Sequence, residues 1–415
     1  MIPTFGSCDR HPLAEMGPVL LVSPWYRQSI GGVAVVAERL LRTLTKAGVD
    51  TYLLVCGEQD SHHSLKPDPT EKNVWYFQIP SYVFYRLTLR TIAAMFFRGP
   101  VALVRLFRFV RAHRLRTVVI IYPGEDAWPF LFFRVLGRIR LISSCHGTDV
   151  WSYDDYSALH RWCLRRVLEC SDAIIVTAAH LAQKIQAILP GRTLPIRLIP
   201  NCVNADHFTP LPAGFNRTDT RLTVVHVSNF NPIKRTLDII EAFAVSAIPP
   251  ESRLVMVGAG PDLKSAVAHA RHLGVGERVE FVGAQRDVRP YLWSADLLVM
   301  ASEEESGPLV VLEGMACGVP WIASPWGIAA MIPPGECGLV VPARAPHQLA
   351  AAIAQLLNDP HRRSAMGARG RCRAEKEFGE AEYIRRHLEV IFPTGESKNL
   401  NDNMIGIAGT AVEKR

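Results

Sequence analysis

The sequence contains no Asp-x-Asp pair, no Cys-x-x-Cys pair and no Cys/His cluster at metal-ligand spacing. The first absence removes the usual carboxylate grip on a metal-bound diphosphate; the others remove a zinc site and a thioredoxin-like redox centre. The nine cysteines are odd in number, and several sit in apolar runs, as Cys56 does after Tyr52-Leu53-Leu54-Val55. They read as reduced core thiols. No stretch supplies the ~20 consecutive apolar residues that crossing a bilayer requires. Residues 1–17 carry charges of both signs without an apolar signal core. A cytoplasmic location, or the inner membrane face, is expected. Acidic residues are missing between Glu71 and Glu125, where Lys72, Arg86, Arg90, Arg98, Arg105, Arg108, Arg111, Arg114 and Arg116 fall. The net charge of +7 is mild all the same. It suits an anionic small molecule or an acidic membrane surface and does not call for nucleic acid.

At 415 residues the chain exceeds the ~250–300 that one core supports, so two domains are expected. Short apolar runs alternate with amphipathic stretches, the pattern of parallel sheets flanked by helices, and the pattern occurs twice. Strands are predicted at 19–23, 51–56, 74–79, 117–122, 141–145, 173–177 and 196–199, then at 222–228, 253–257, 279–282, 297–301 and 321–323. Residues 201–219, rich in Pro and poor in periodicity, read as a linker. The expected architecture is α/β with two Rossmann-like domains, 18–205 and 206–378, a helix near 380–392 returning to the first, and a disordered tail over 393–415. Ligands bind at the carboxyl ends of such strands, so an interdomain cleft is the expected site.

Four strand ends carry chemistry. Gly31-Gly32 opens a helix, where glycine lets a phosphate approach the backbone amides; a ligand-free turn is the alternative. His146-Gly147-Thr148-Asp149 follows a strand and puts an acceptor-side histidine on the cleft side, with Asp149 placed to orient it or an acceptor; a histidine capping the loop is the alternative. After the strand ending at Ser228 come Lys234 and Arg235, two cations at a helix start, where the dipole disfavours them unless an anion intervenes. The last end carries Glu305, Gly307-Pro308 and a helix opening at Leu309 and Val310. The amides of Leu309 and Val310 suit a phosphate, leaving Glu305 for a sugar ring and Glu313 for ribose hydroxyls; Glu303 and Glu304 read as solvated. Residues 82–116 combine the arginines with Tyr82, Phe84, Tyr85, Phe96, Phe97, Phe107 and Phe109, interrupted at Gly99-Pro100. They read as two basic, aromatic helices, either lying on an anionic membrane or turning an arginine-rich face to solvent.

Taken in order, Gly31-Gly32, His146-Gly147-Thr148-Asp149, Pro200-Asn201-x-Val203-Asn204, Glu305-x7-Glu313 and the run from Leu309 to Pro320 resemble the family 4 retaining glycosyltransferases. The resemblance implies the GT-B fold. It implies a nucleotide diphosphate sugar held by the second domain, a hydroxyl acceptor held by the first, and retention of configuration. It assigns Lys234 and Gly32 to the donor phosphates, Glu305 to the donor sugar, Glu313 to the ribose and His146 to the loop beside sugar and acceptor. Within the family, His226-Val227-Ser228-Asn229-Phe230 with Lys234-Arg235 is similar to the N-acetylglucosaminyl malate synthases and to some polysaccharide-assembly transferases. Three departures stand out: Asn229 where an arginine is common, Gly307-Pro308 in place of Phe-Gly, and Ser324 to Met331 where a Gly-Gly-x-Pro-Glu run is common. Lys234, Arg235 and helix amides would then carry the leaving group without metal or other cofactor. A catalytically weak scaffold is one alternative. A nicotinamide enzyme is another, suggested by Gly258-Ala259-Gly260, although Leu263 stands at the third glycine position.

Overall fold

The structure is a computed structural model that describes residues 17–26, 32–57, 65–80, 88–215, 221–245 and 247–393. Gly31, Tyr82, Phe84, Tyr85 and the tail beyond Pro393 lie outside the described residues. The chain forms two compact units, one of Met1–Ile199 with Ile384–Arg415 and one of Pro200–Tyr383.

Among its described residues the first unit has eight strands: β1 (Val19–Ser23), β2 (Thr51–Val55), β3 (Lys66–Pro67), β4 (Val74–Tyr76), β5 (Thr117–Ile121), β6 (Arg140–Cys145), β7 (Ala173–Val176) and β8 (Ile196–Leu198). They lie in the order β3-β4-β2-β1-β5-β6-β7-β8, with β3 alone antiparallel. Every residue of β1 and β5 is buried, as expected of parallel strands covered on both faces. The helix Gly32–Lys46 packs Val36, Ala37, Leu40 and Leu44 inward. It is stopped at Gly48, whose φ of +85 only glycine adopts readily.

Over its described part the arginine-rich stretch is one helix, Leu89–Ala112, which runs through Pro100 where a break between two helices was expected. A proline inside a helix costs about 3 kcal/mol. Beyond it Ala102, Leu106, Phe109 and Val110 are buried in the core of the unit; large side chains gain about 1.5–3 kcal/mol each, enough to offset the break. A Thr88–Thr91 capping box fixes the start. The opposite face is open, with Phe96 and Phe97 more than 70% exposed and Arg105, Arg108 and Arg111 in solvent.

Among its described residues the second unit has six parallel strands: β9 (Thr223–Val227), β10 (Arg253–Val257), β11 (Val279–Gly283), β12 (Leu297–Met300), β13 (Trp321–Ala323) and β14 (Gly338–Val340). Their order is β11-β10-β9-β12-β13-β14. The stretch read as a linker is anchored in this unit over its described part: Val203 and Phe208 are buried in its core, and Val203 N donates to Phe378 O at 2.8 Å.

In each sheet the chain fills one side of its first strand and then crosses to the other, so the order reverses between β1 and β5 and between β9 and β12. The carboxyl ends at such reversals leave a crevice, because the two connections depart to opposite faces.

Candidate functional site

In the second unit the β9–β12 reversal brings together Lys234 and Glu305 of the predicted donor residues. Beyond β9 the Asn231 side chain caps the 3₁₀ turn Pro232–Lys234 by accepting from Lys234 N at 3.3 Å. Beyond β12 the Glu303 N–H donates to the Ile233 carbonyl at 2.8 Å, tying the acidic loop to that turn. The two connections thus bring the Lys234 ammonium onto the Glu305 carboxylate. Ser302 donates to the same carboxylate oxygen at 3.0 Å. The side chains of the pair are only 21% and 15% exposed, so the ion pair is little screened by water. The helix Leu309–Ala316 starts just after, with Leu309 and Val310 in its first turn and Glu313 one turn on.

Arg235 differs from expectation. It sits at φ +53 as the residue before the helix Thr236–Phe243. Its guanidinium grips Asp238 through two hydrogen bonds of 2.7 and 3.0 Å and lies 3.3 Å from Glu303. The carboxylate in the first helical turn offsets the dipole, so no external anion is needed to explain a cation there. Glu303 is likewise not simply solvated, since Arg344 meets it at 2.8 Å. The Glu305 loop is held from two further sides. Asn201 donates to the Gly307 carbonyl at 2.9 Å. Gly327, at φ +54, lies so close that a Cβ there would come 2.8 Å from Pro308 and 3.2 Å from the Glu305 carbonyl.

His226 is fully buried at the end of β9, with Nδ1 2.9 Å from the Val299 carbonyl and Nε2 2.7 Å from the Ser228 hydroxyl. Burial pushes its imidazole down to about 4, against the pull of the Val299 carbonyl and with the Lys234 charge adding to the fall. The glycines that suggested a nicotinamide site have another explanation. A Cβ on Gly258 would come 1.8 Å from the Ser228 carbonyl, and one on Gly260 2.2 Å from that of Phe230. Their role is close backbone approach just beyond the carboxyl ends of β9 and β10.

In the first unit, Asp149 is engaged with the backbone of its own loop. Its carboxylate accepts from the backbone N–H groups of His146 at 3.0 Å and Gly147 at 2.7 Å, and so fixes the loop. Burial pushes Asp149 up to about 7, opposed by those donors. The His146 ring faces Ser144, with Nε2 3.0 Å from its hydroxyl. Burial and the neighbouring His387 push His146 down to about 3, so the ring is neutral at physiological pH. Thr148 joins this loop to two tyrosines: its hydroxyl is 2.8 Å from that of Tyr122, and its carbonyl accepts from Tyr156 at 2.8 Å. A Cβ on Gly32 would meet nothing within 4 Å, so packing does not explain that glycine.

The same tyrosines line a cavity of about 310 Å³ at the β1–β5 reversal, unnoticed in the sequence. Trp25 meets Tyr122 edge to face at 5.2 Å, and Tyr156 stacks on His160 at 3.9 Å. Glu125, 7% exposed, lies 3.2 Å from His160 Nε2. Glu125 and Asp126 were visible as acids just past a strand end, the signal that singled out His146; His160, inside a helix, gave none. Among the described residues no group of three or more His, Cys, Asp or Glu is arranged to hold a metal ion.

Comparison with known proteins adds the family. Residues 30–207 match the family model described as Glycosyltransferase Family 4, and residues 210–373 match Glycosyl transferases group 1. The N-acetyl-alpha-D-glucosaminyl L-malate synthase of Bacillus anthracis is 26% identical over 88% of this chain and 94% of its own length. A GDP-mannose-dependent alpha-(1-6)-phosphatidylinositol monomannoside mannosyltransferase of Mycobacterium tuberculosis is 30% identical over 66% of this chain and 74% of its own. Among solved structures, the sucrose-phosphate synthase of Thermosynechococcus elongatus superposes with a TM-score of 0.69 at 22% identity, covering 90% of this chain and 98% of that one. Anabaena HepE in complex with UDP and glucose gives 0.70 at 16%, covering 90% and 99%. These likenesses show the GT-B fold of two Rossmann-like domains. The chain belongs to the family 4 glycosyltransferases and transfers a sugar from a nucleotide-sugar donor to an acceptor.

Proposed function

We propose that the enzyme is a retaining transferase that works without a metal ion, using a nucleotide diphosphate sugar and the hydroxyl of a glycoconjugate acceptor. The observation that carries this reading is the Lys234–Glu305 ion pair beside the first turn of the helix Leu309–Ala316. A diphosphate drawn to the amides of Leu309 and Val310 competes with Glu305 for the ammonium. Once Lys234 turns to the phosphates, the Glu305 carboxylate is free to accept from sugar hydroxyls. Glu313 is assigned to the ribose, Gly31 and Gly32 to the phosphate approach, and Arg235, through Asp238 and Glu303, to holding the loops that carry Lys234 and Glu305. The donor class is supported by UDP-glucose in one HepE structure and by the GDP-mannose dependence of the mycobacterial relative.

Transfer breaks the bond from the anomeric carbon to the diphosphate oxygen while the acceptor oxygen bonds to the same face. The departing β-phosphate oxygen takes the acceptor proton. Lys234 and the helix amides stabilise charge where it grows, which is where preorganised donors lower a barrier most. His146, neutral at pH 7 and on the acceptor side with Thr148 and Asp149, serves as a hydrogen-bonding group and not as an acid. The exposed face of the helix Leu89–Ala112 supports peripheral contact with an anionic membrane, where a lipid-linked acceptor would be met. The test is the anomeric configuration of the product by NMR, with turnover measured in EDTA. An α-linked donor should give an α-linked product at an unchanged rate; inversion, or loss restored by manganese, refutes the reading.

A further inference from the structure

The helix Leu309–Ala316 is buried along its length except at Leu309 and Glu313, which share one face four residues apart. Among the described residues no side chain caps its start, so its first-turn amides stay open. A helix of this kind is located by what grips it, and the second unit grips it at both ends.

At the front, Asn201 is buried and donates its side-chain amide to the Gly307 carbonyl at 2.9 Å, in the loop just ahead of the helix. From there the chain runs on with Val203 and Phe208 in the same core as Val311, Leu312 and Met315. At the rear stands Arg371, on the helix Pro360–Lys376. Its Nη1 donates to the carbonyls of Phe208 at 2.6 Å, Ala316 at 2.7 Å and Ala205 at 3.0 Å, two N–H groups shared among three acceptors. The last carbonyls of a helix have no partner within it, and a cation there also suits the dipole. Close packing delivers the guanidinium: a Cβ on Gly367 would come 2.0 Å from the Gly318 carbonyl, and one on Gly370 3.5 Å from Met315. Glu375 holds Nε at 2.7 Å. Residues 201–208 are therefore tied to both ends of an eight-residue helix, which is about 12 Å long.

We infer that Asn201 and Arg371 are positioning residues for the transfer reaction: between them they strap residues 201–208 along the helix Leu309–Ala316 and keep its open amides, with the Glu305 loop, in register for the donor diphosphate. Neither side chain touches the donor; each acts through the helix. The inference rests on the reading that places the diphosphate at Leu309 and Val310. Its particular content is coupling. Sites that far apart with no shared partner lose binding independently, whereas a strap cut at one end no longer holds at the other.

The experiment is a double-mutant cycle on the full chain, with UDP, GDP and ADP titrated by calorimetry into wild type, Asn201→Ala, Arg371→Met and the double variant. Each single change should weaken the nucleotide roughly fivefold, and the double change by roughly the same factor, well short of the roughly 25-fold to which independent losses multiply. Arg371→Lys should recover most of the affinity, because an ammonium can donate to more than one of the three carbonyls. Should Arg371→Met fail to fold, Arg371→Gln, which keeps one amide donor group, takes its place in the cycle. Melting temperatures of the same proteins separate positioning from mere support: variants that melt earlier but bind nucleotide as wild type does overturn the inference. Losses that multiply in the double variant overturn it as well, as does a Lys variant no better than Met. If wild type binds none of the three nucleotides, the donor reading itself is refuted and this inference falls with it; binding by wild type that the variants leave untouched refutes this inference alone.

Discussion

Ser228 donates its hydroxyl proton to Nε2 of His226 across 2.7 Å. The direction is fixed because Nδ1 faces the Val299 carbonyl, which only accepts, and because the buried ring is neutral. Ser228 therefore offers only lone pairs to a ligand and suits a hydroxyl or ammonium donor, not a phosphate oxygen. The same burial makes stability pH-dependent. With the folded value pushed down to about 4 and the unfolded one near 6.5, the unfolded chain binds more protons between them, so stability falls as pH drops through that window. Denaturation midpoints of wild type and His226→Asn, measured from pH 8 to 4, should differ in slope by about 1.4 kcal/mol per pH unit below 6.5. Parallel slopes would show that the ring titrates normally.

Lys234 and Glu305 should respond in opposite ways to removal. Without the lysine the diphosphate loses its nearest cation, so Lys234→Ala is expected to weaken UDP or GDP at least tenfold and to lower kcat/KM by roughly 10²–10³. Glu305→Gln removes the competitor for that ammonium, so nucleotide affinity should hold or rise while kcat falls. Calorimetric titration with initial rates checks both. A parallel loss of nucleotide affinity in the two variants contradicts the exchange of partners.

Gly327→Ala tests how the Glu305 loop is held. The new methyl would stand 2.8 Å from Pro308 at a φ of +54, so strain and overpacking should together cost roughly 1–3 kcal/mol. Because the displaced carbonyl belongs to Glu305, transfer should fall more than nucleotide affinity does. A variant with normal turnover and melting temperature would mean that the loop has room to spare.

How far the sequence foretold all this depended on whether the cause lay within one element. β1 and β5 were legible because parallel strands buried on both faces are unbroken apolar runs. β3, two residues long with a proline, and β14, three residues opening on glycine, are too short to show a period. Pro100 misled because a local break was outweighed by packing that only the fold supplies. Lys234 and Glu305 each stood out at a strand end, but their pairing spans 71 positions and needed the sheet order. Arg235 is the instructive case, since Arg235-x-x-Asp238 is a helical ion-pair spacing readable from the sequence.

Membrane contact is testable on the helix Leu89–Ala112, where buried and exposed faces separate cleanly. Leu106 and Phe109 point into the core, while Phe96 and Phe97 are 74% and 71% exposed and Arg105, Arg108 and Arg111 lie in solvent. Each cation near an anionic surface contributes about 1 kcal/mol. Reversing the three arginines to Glu should therefore weaken sedimentation with phosphatidylglycerol vesicles by a factor of roughly 100 or more, because about 1.4 kcal/mol is tenfold. Phe96→Ser with Phe97→Ser should weaken binding with a smaller dependence on salt, since their contribution is burial and not charge. The folded core faces are untouched by either set, so melting temperatures should stay within a few degrees. Vesicle binding that ignores the charge reversal would assign this face to solvent and leave the acceptor to be met away from any bilayer.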